Sequence, residues 1–145
     1  MIRASWSIVV DRPPDAVFDY VSDLRYEPQW NPAASNVVQR TPGEIGSGTM
    51  WEEDYARVGH YVTTIDRFDR PRELGFDARN PKTDALVRFH FAPRGESQTE
   101  VSCQVELTMK GAMRIAEPAL APLVRREIEK NRGPMLKRAV EAHAG

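Results

Sequence analysis

The sequence predicts an α+β fold in which a curved antiparallel sheet of about seven strands wraps around a long C-terminal helix, with two short helices between the first two strands. Between residues 35 and 109, apolar and polar residues alternate in short segments separated by turn residues, which is typical of consecutive antiparallel strands. From 112 to 143, apolar residues recur at spacings of three and four, which indicates a helix with one apolar face. A helix of that length needs a broad apolar partner, so we expect the concave face of the sheet to hold it.

The N-terminal part of the chain predicts one strand and two short helices. Trp6–Val10 is rich in β-branched residues and is followed by two prolines, which cannot continue a strand ladder. Asp15–Val21 has helical apolar spacing and an acid in its first turn. Tyr26–Trp30 is predicted to be a second helical segment that ends before Pro32.

The remaining strands are separated by glycine- and proline-containing turns. Val58 and Gly59 are predicted to be the two loop residues of a hairpin. The chain 1–145 therefore reads as a single domain. The six predicted strands span residues 37–40, 49–57, 60–68, 73–79, 85–92 and 99–109.

Composition limits the possible functions. The net charge of −1 argues against a general nucleic-acid-binding protein, because such proteins usually carry a clear basic excess. The single cysteine excludes an internal disulfide, and no cysteine and histidine cluster indicates a metal site. No apolar run is long enough for a membrane span, and no signal-peptide pattern follows the first residues. We therefore expect a cytoplasmic protein without a metal.

Several short motifs carry a resemblance to a known family. They are Pro13–Asp23, Trp30–Pro32, the glycines of 46–48, Phe91–Pro93 and Gln98–Val101. In this order and spacing the chain resembles the START-like, or helix-grip, superfamily (SRPBCC), and within it the polyketide cyclase/dehydrase-like proteins. The resemblance covers nearly the whole chain. It implies an apolar cavity between sheet and long helix that holds a small hydrophobic or amphipathic molecule, in a monomer or homodimer that needs no cofactor. The family shares no catalytic signature, so it assigns no catalytic residue.

The residues that face the predicted cavity follow from strand alternation. Cys103 and Val105 share one face of the last strand, and Phe89 and Phe76 lie inward on the two strands before it. The hairpin is expected to pair Glu53 with Thr64 and to turn its more aromatic face inward. The predicted ligand-binding residues are Trp30, Trp51, Glu53, Tyr55, Thr64, Phe76, Phe89, Cys103, Val105, Ile128, Asn131 and Met135.

Glu53 is the best candidate for a catalytic residue. A carboxylate that faces an apolar cavity has a raised pKa and can act as a general acid or base. The alternative is that Glu53 lies at the end of the sheet, solvated or paired with an arginine.

The other polar and aromatic candidates each have two interpretations. Trp30 either gates the cavity or packs the short helices on the sheet. Tyr55 and Thr64 either bind a ligand oxygen or are core residues with satisfied hydroxyls. Asn131 either faces a ligand or water from the helix, or is exposed. Cys103 is expected to be inert packing, because an apolar setting raises the pKa of a thiol.

Three functions remain open at the level of the sequence. The first is binding of a lipid, polyketide-like or terpenoid metabolite. The second is a cofactor-free cyclase or dehydratase that uses Glu53, and the third is a partner-binding module of the chaperone-activator type. An enzyme should bring at least two titratable groups to one buried point, whereas a carrier need not, and a partner-binding module should expose an apolar patch.

Overall fold

The computed structural model describes residues 1–143, which form one seven-stranded antiparallel sheet, two α-helices and one 3₁₀ helix. The predicted fold class and element order are confirmed. In chain order the elements are β1 (Ile2–Val10), α1 (Pro14–Ser22), the 3₁₀ helix (Leu24–Gln29), β2 (Ala34–Gln39), β3 (Met50–Tyr55), β4 (Gly59–Asp69), β5 (Glu73–Arg79), β6 (Thr83–Arg94), β7 (Gln98–Met109) and α2 (Met113–Ala142).

The strand order across the sheet is β1-β7-β6-β5-β4-β3-β2. Strands β2 to β7 are therefore joined as successive hairpins, as the short predicted turns require. The connection from β1 to β2 is different, because these strands lie at opposite edges. This connection contains α1 and the 3₁₀ helix, crosses the sheet, and places residues 27–31 beside β3.

The β3–β4 hairpin has a different register from the predicted one. Sequence reasoning places Glu53 opposite Thr64, whereas the structure places it opposite Tyr61. The loop contains three residues, 56–58, instead of two, and Arg57 at its centre adopts a positive φ of 72°. Because the shift of three residues is odd, it turns Thr64 to the outer face of the sheet.

The residues that face inward on the first part of β4 are therefore those that the prediction placed on its outer face. Phe68 nevertheless lies inward as predicted, 5.0 Å from Phe18 between ring centroids. The pairing of β4 with β5 shifts register between Ile65 and Arg67, and this irregularity reverses the alternation beyond it. The buried inner residues of β4 before the shift are Tyr61, Thr63 and Ile65.

The burial of residues in β6 and β7 confirms the inward face that alternation predicted for these strands. Phe89 and Cys103 face each other across β6 and β7, and both are buried. Trp51 is fully buried on β3, and the rings of Trp30 and Phe76 meet Phe89 edge-on. The concave face of the sheet thus carries the aromatic core.

The two halves of α2 differ in packing. The buried residues of the helix, Ile128, Gly133, Leu136 and Val140, all lie in its C-terminal half. Gly133 allows close approach to β1, because a Cβ there would lie 3.2 Å from the ring of Trp6. In the N-terminal half, Ile115 and Leu123 are 86% and 68% exposed. The helix therefore packs on the sheet mainly through its C-terminal half.

Helix α2 also covers the edge of the sheet formed by β1. The backbone N–H of Ser5 donates to Glu129 Oε2 at 3.3 Å, and Arg125 Nε donates to the carbonyl oxygen of Arg3 at 3.0 Å. Helix side chains thus take the place of a neighbouring strand.

Candidate functional site

Two buried carboxyl groups meet under strand β3. Glu53 points inward from the strand and is 2% exposed, and Glu27 comes from the 3₁₀ helix and is 5% exposed. The two carboxyl groups are close enough for Glu27 to raise the pKa of Glu53. Charged side chains are rarely buried this completely without an opposite charge, so the pair needs an explanation.

Neighbouring donors orient this acid pair. Tyr55 donates its hydroxyl hydrogen to Glu27 Oε2, and Asn31 Nδ2 donates to the same oxygen at 3.1 Å. Thr63 on β4 donates to Glu53 Oε1 at 3.1 Å. The acids are thus held by side chains from the 3₁₀ region and both strands of the hairpin.

The pKa of Glu53 is raised far above its usual value of 4.5. Burial is the largest cause, followed by the hydrogen bond to Glu27 and the charge of that carboxylate, and Thr63 opposes them. A carboxyl group with such a pKa holds its proton at neutral pH. The structure therefore brings two titratable carboxyl groups, at least one of them protonated at neutral pH, to one buried point.

Unsatisfied polar atoms concentrate around this pair. Among residues 1–143, four buried side-chain polar atoms lack a hydrogen-bond partner: Glu27 Oε1, Glu53 Oε2, Trp51 Nε1 and Arg132 Nε. Trp51 shares the inner face of β3 with Glu53, and Arg132 comes from α2. The two carboxyl oxygens lack a donor, and the two N–H groups lack an acceptor. Buried groups of this kind mark a site that a bound molecule can complete.

Part of the concave face of the sheet is only partly covered. Val87, Val105 and Leu107 lie on the inner faces of β6 and β7, yet each is only half-buried although it packs against the core. We call the inner surface formed by these three residues the apolar groove. An apolar wall beside convergent polar groups is typical of small-molecule sites.

Two recesses of about 240 and 490 Å³ lie elsewhere on the molecule. The first is on the outer face of the sheet, beside Arg67 and His90, and the second is on the exposed side of α2, beside Arg126. Neither recess is lined by a member of the acid pair. Residues 1–143 contain no group of three or more ligating side chains that could hold a metal ion. No helix in the same range has the length and apolar character needed to cross a bilayer.

The family of the chain follows from comparison with known proteins. A family model described as polyketide cyclase / dehydrase and lipid transport matches residues 1–141. The chain belongs to this family. No curated protein matches the sequence. The resemblance stated from the sequence motifs is confirmed.

Solved structures show the same fold at low sequence identity. The protein TTHA0849 from Thermus thermophilus aligns with a TM-score of 0.78 and 16% identity over 99% of both chains. A START superfamily protein from Mycobacterium smegmatis aligns with a TM-score of 0.71 and 16% identity over 97% of this chain and 98% of its own. The Zhui aromatase/cyclase from Streptomyces sp. R1128 aligns with a TM-score of 0.73 and 13% identity over 95% and 90% of the two chains.

Within this family fold, most predicted site residues lie on the inner surface. Trp30 is 7% exposed and packs against Phe89, with ring centroids 6.4 Å apart. This position agrees with the interpretation of Trp30 as a packing residue. Cys103 is buried, and burial strongly raises the pKa of its thiol. Their roles toward a ligand remain predictions. The other predicted residues on the inner surface are Trp51, Glu53, Tyr55, Phe76, Phe89, Val105, Ile128 and Met135.

Two predicted residues lie outside the site. Thr64 is on the outer face, opposite Met50, because of the three-residue hairpin loop. Asn131 is exposed on α2 and donates to Glu127 at 2.6 Å, so its placement on the inner side of the helix is wrong. The residue that turns inward is its neighbour, Arg132.

Sequence reasoning missed Glu27 and Arg132. Glu27 lies in a short segment whose burial depends on the crossing from one sheet edge to the other, which local pattern does not reveal. Arg132 did leave a signal. It lies in a row with a four-residue spacing whose other members, Ile128, Leu136 and Val140, are all apolar, so it shares their buried face.

Proposed function

We propose that the protein binds a small amphipathic carbonyl compound in the apolar groove and that Glu53 and Glu27 move protons on it. The reaction class is enolisation, followed by cyclisation or dehydration, as expected for a polyketide cyclase/dehydrase-type enzyme without a cofactor. The observation that carries the proposal is the buried acid pair, because it brings two titratable groups to one point beside an open apolar surface.

The chemistry follows from the protonation states. Glu53 donates its proton to the carbonyl oxygen of the bound compound, and Glu27 accepts a proton from the neighbouring carbon. The product is an enol, and the two carboxyl groups have exchanged their roles. Tyr55 and Asn31 hold the carboxylate of Glu27 in place for the next cycle. Positioned acid–base groups of this kind contribute roughly 10²–10⁴ to a rate.

Membership of the family supports this proposal. The family description includes both cyclase/dehydrase activity and lipid transport, and one protein of the same fold is an aromatase/cyclase. A carrier of apolar molecules would need the groove but not the acid pair. The raised pKa of Glu53 lowers the stability of the folded chain at neutral pH, and retention of such a group favours a chemical role.

Proton exchange on a simple ketone tests the proposal. Phenylacetone in D₂O loses its α-protons at a rate that NMR measures, and its binding is followed by tryptophan fluorescence. We expect the protein to accelerate the exchange, and Glu53→Gln and Glu27→Gln to reduce the acceleration about a hundredfold while leaving binding intact. Glu52→Gln is the matched control, because Glu52 lies on the opposite face of β3 and should leave the rate unchanged.

The outcomes separate the candidate functions. Binding without accelerated exchange would favour the carrier and remove Glu53 from the mechanism. A partner-binding module is the remaining candidate, and the exposure of Ile115 and Leu123 on α2 favours it. That function predicts that phenylacetone neither binds nor exchanges its protons.

A further inference from the structure

Arg132 is the one basic side chain in the buried row of α2. Ile128, Leu136 and Val140 follow the same four-residue spacing, and all three are buried. Gly133 packs against Trp6 of β1, which fixes the rotation of the helix. Arg132 is itself half-buried, and its Nε is fully covered by protein without a hydrogen-bond acceptor.

The guanidinium lies within electrostatic reach of Tyr55 on β3 and Cys103 on β7. Burial raises the pKa of both Tyr55 and Cys103, and the positive charge of Arg132 opposes this shift in each case. Arg132 thus projects from α2 toward β3 and β7. The hydrogen bonds to Glu27 and Glu53 come from Tyr55, Asn31 and Thr63, and not from Arg132.

The groups left unsatisfied define the chemistry of the missing partner. Trp51 Nε1 and Arg132 Nε are both donors without an acceptor, and neither is paired with the unsatisfied oxygens of the acid pair. A guanidinium fits a carboxylate because its N–H groups match both oxygens. A buried arginine without an opposite charge is costly, and a bound anion would remove that cost.

We propose that Arg132 anchors an acidic head group of the ligand, so that the molecule bound in the apolar groove is an amphipathic carboxylate. The inference rests on the proposed function for the location of the ligand, and it adds the charge and the anchoring residue. The apolar tail lies along Val87, Val105 and Leu107, and the carboxylate receives hydrogen bonds from the guanidinium. The acid pair then contacts carbonyl groups of the bound ligand.

A matched pair of ligands tests the anchor. Decanoate and decanol have the same tail, and only decanoate is charged at pH 7.5. Calorimetric titration of the full chain should give at least tenfold tighter binding of decanoate, at equal salt. In Arg132→Gln the preference should vanish while decanol binds as before, and Arg132→Lys should restore part of it. Arg126→Gln removes the same charge from the exposed face of α2 and should keep the preference.

Stability provides a second readout. Because Nε of Arg132 makes no hydrogen bond, we expect the Tm of Arg132→Gln to be unchanged or raised, whereas a purely structural arginine would lower it on replacement. Equal binding of decanoate and decanol, or a preference that survives Arg132→Gln, would overturn the anchor and leave the proposed function in place. Failure of both ligands to bind would overturn the groove as a ligand site and the anchor with it.

Discussion

Consecutive acids on strand β3 face opposite sides of the sheet and experience opposite environments. Glu53 faces inward, where burial and a second acid, Glu27, raise its pKa. Glu52 and Asp54 face outward and flank the two ring nitrogens of His60 at 2.6 and 2.7 Å. The pKa of His60 is raised by the hydrogen bond to Asp54 and then by that to Glu52, so the outer acids gain an opposite charge.

The comparison shows that strand alternation, rather than residue type, decides what an acid does in this protein. The outer acids form ordinary surface ion pairs. The inner acid is held protonated mainly by burial. Groups that reduce stability in this way are typical of functional sites. Substitutions on the inner and outer faces should therefore differ in their effects.

Truncation of the inner aromatic residue of β3 should have the largest effect. Trp51 is fully buried, so we expect Trp51→Ala to lower the free energy of unfolding by about 4 kcal/mol. Met50→Ala, its neighbour on the outer face, should cost less than about 1 kcal/mol. Urea denaturation measures both values. Similar losses would show that the inner and outer faces of β3 have been assigned wrongly.

Glu53→Gln should stabilise the protein above neutral pH. The folded pKa of Glu53 is raised, so the folded state binds more protons than the unfolded state from about pH 4.5 upward, and stability falls as the pH rises toward the folded pKa. Glutamine keeps a donor for Glu27 and does not titrate. We expect a gain of about 2 kcal/mol at pH 8 and none near pH 4.

Urea denaturation across this pH range checks the prediction, with Glu52→Gln as the control that should not show the same gain. A gain that is equal at pH 4 and pH 8 would mean that packing, rather than ionisation of Glu53, is responsible.

Two adjacent threonines test the register of the hairpin. Thr63 donates to Glu53, so Thr63→Val should cost about 1–2 kcal/mol by leaving that carboxyl oxygen without a donor. Thr64 lies on the outer face, so Thr64→Val should change stability by less than about 0.5 kcal/mol. Chemical denaturation of these two threonine variants distinguishes the observed register from the predicted one. In the predicted register the two effects would be reversed.

The outer cluster should show a small pH dependence in the same direction. Because the folded pKa of His60 is raised, its contribution to stability is present below the unfolded pKa and is lost as pH rises through the folded value. An NMR titration of His60 should show a lower pKa in Asp54→Asn than in the parent, and Glu53→Gln should leave the pKa unchanged. An unchanged pKa in Asp54→Asn would contradict the ion pair.

The fold could be predicted because its signals are local and repeated. Alternation placed Phe89 and Cys103 inward, and helical spacing found α2. The inward face of β4 could not be predicted, because the residue type of Arg57 does not indicate its left-handed conformation. The resulting odd shift reverses the faces of β4 as far as the irregularity after Ile65.

The polar part of the site was only half predictable. Glu53 follows from alternation within one strand. Glu27 becomes its partner only after the chain crosses the whole sheet, and no local pattern connects residues that lie on elements so far apart in the sheet order. The inward position of Arg132 could have been predicted from helical spacing. A charged residue in an apolar row is, however, easily assigned to the edge of the solvated face.

The covered edge at β1 has a consequence for self-association. With Arg3 and Ser5 bonded to helix side chains, that strand cannot recruit a strand of another molecule. The opposite edge, β2, is interrupted by Asn36, whose φ of 52° breaks the regular spacing of backbone donors and acceptors. Neither border offers a straight template, so growth of the sheet from one molecule to the next is blocked at both ends.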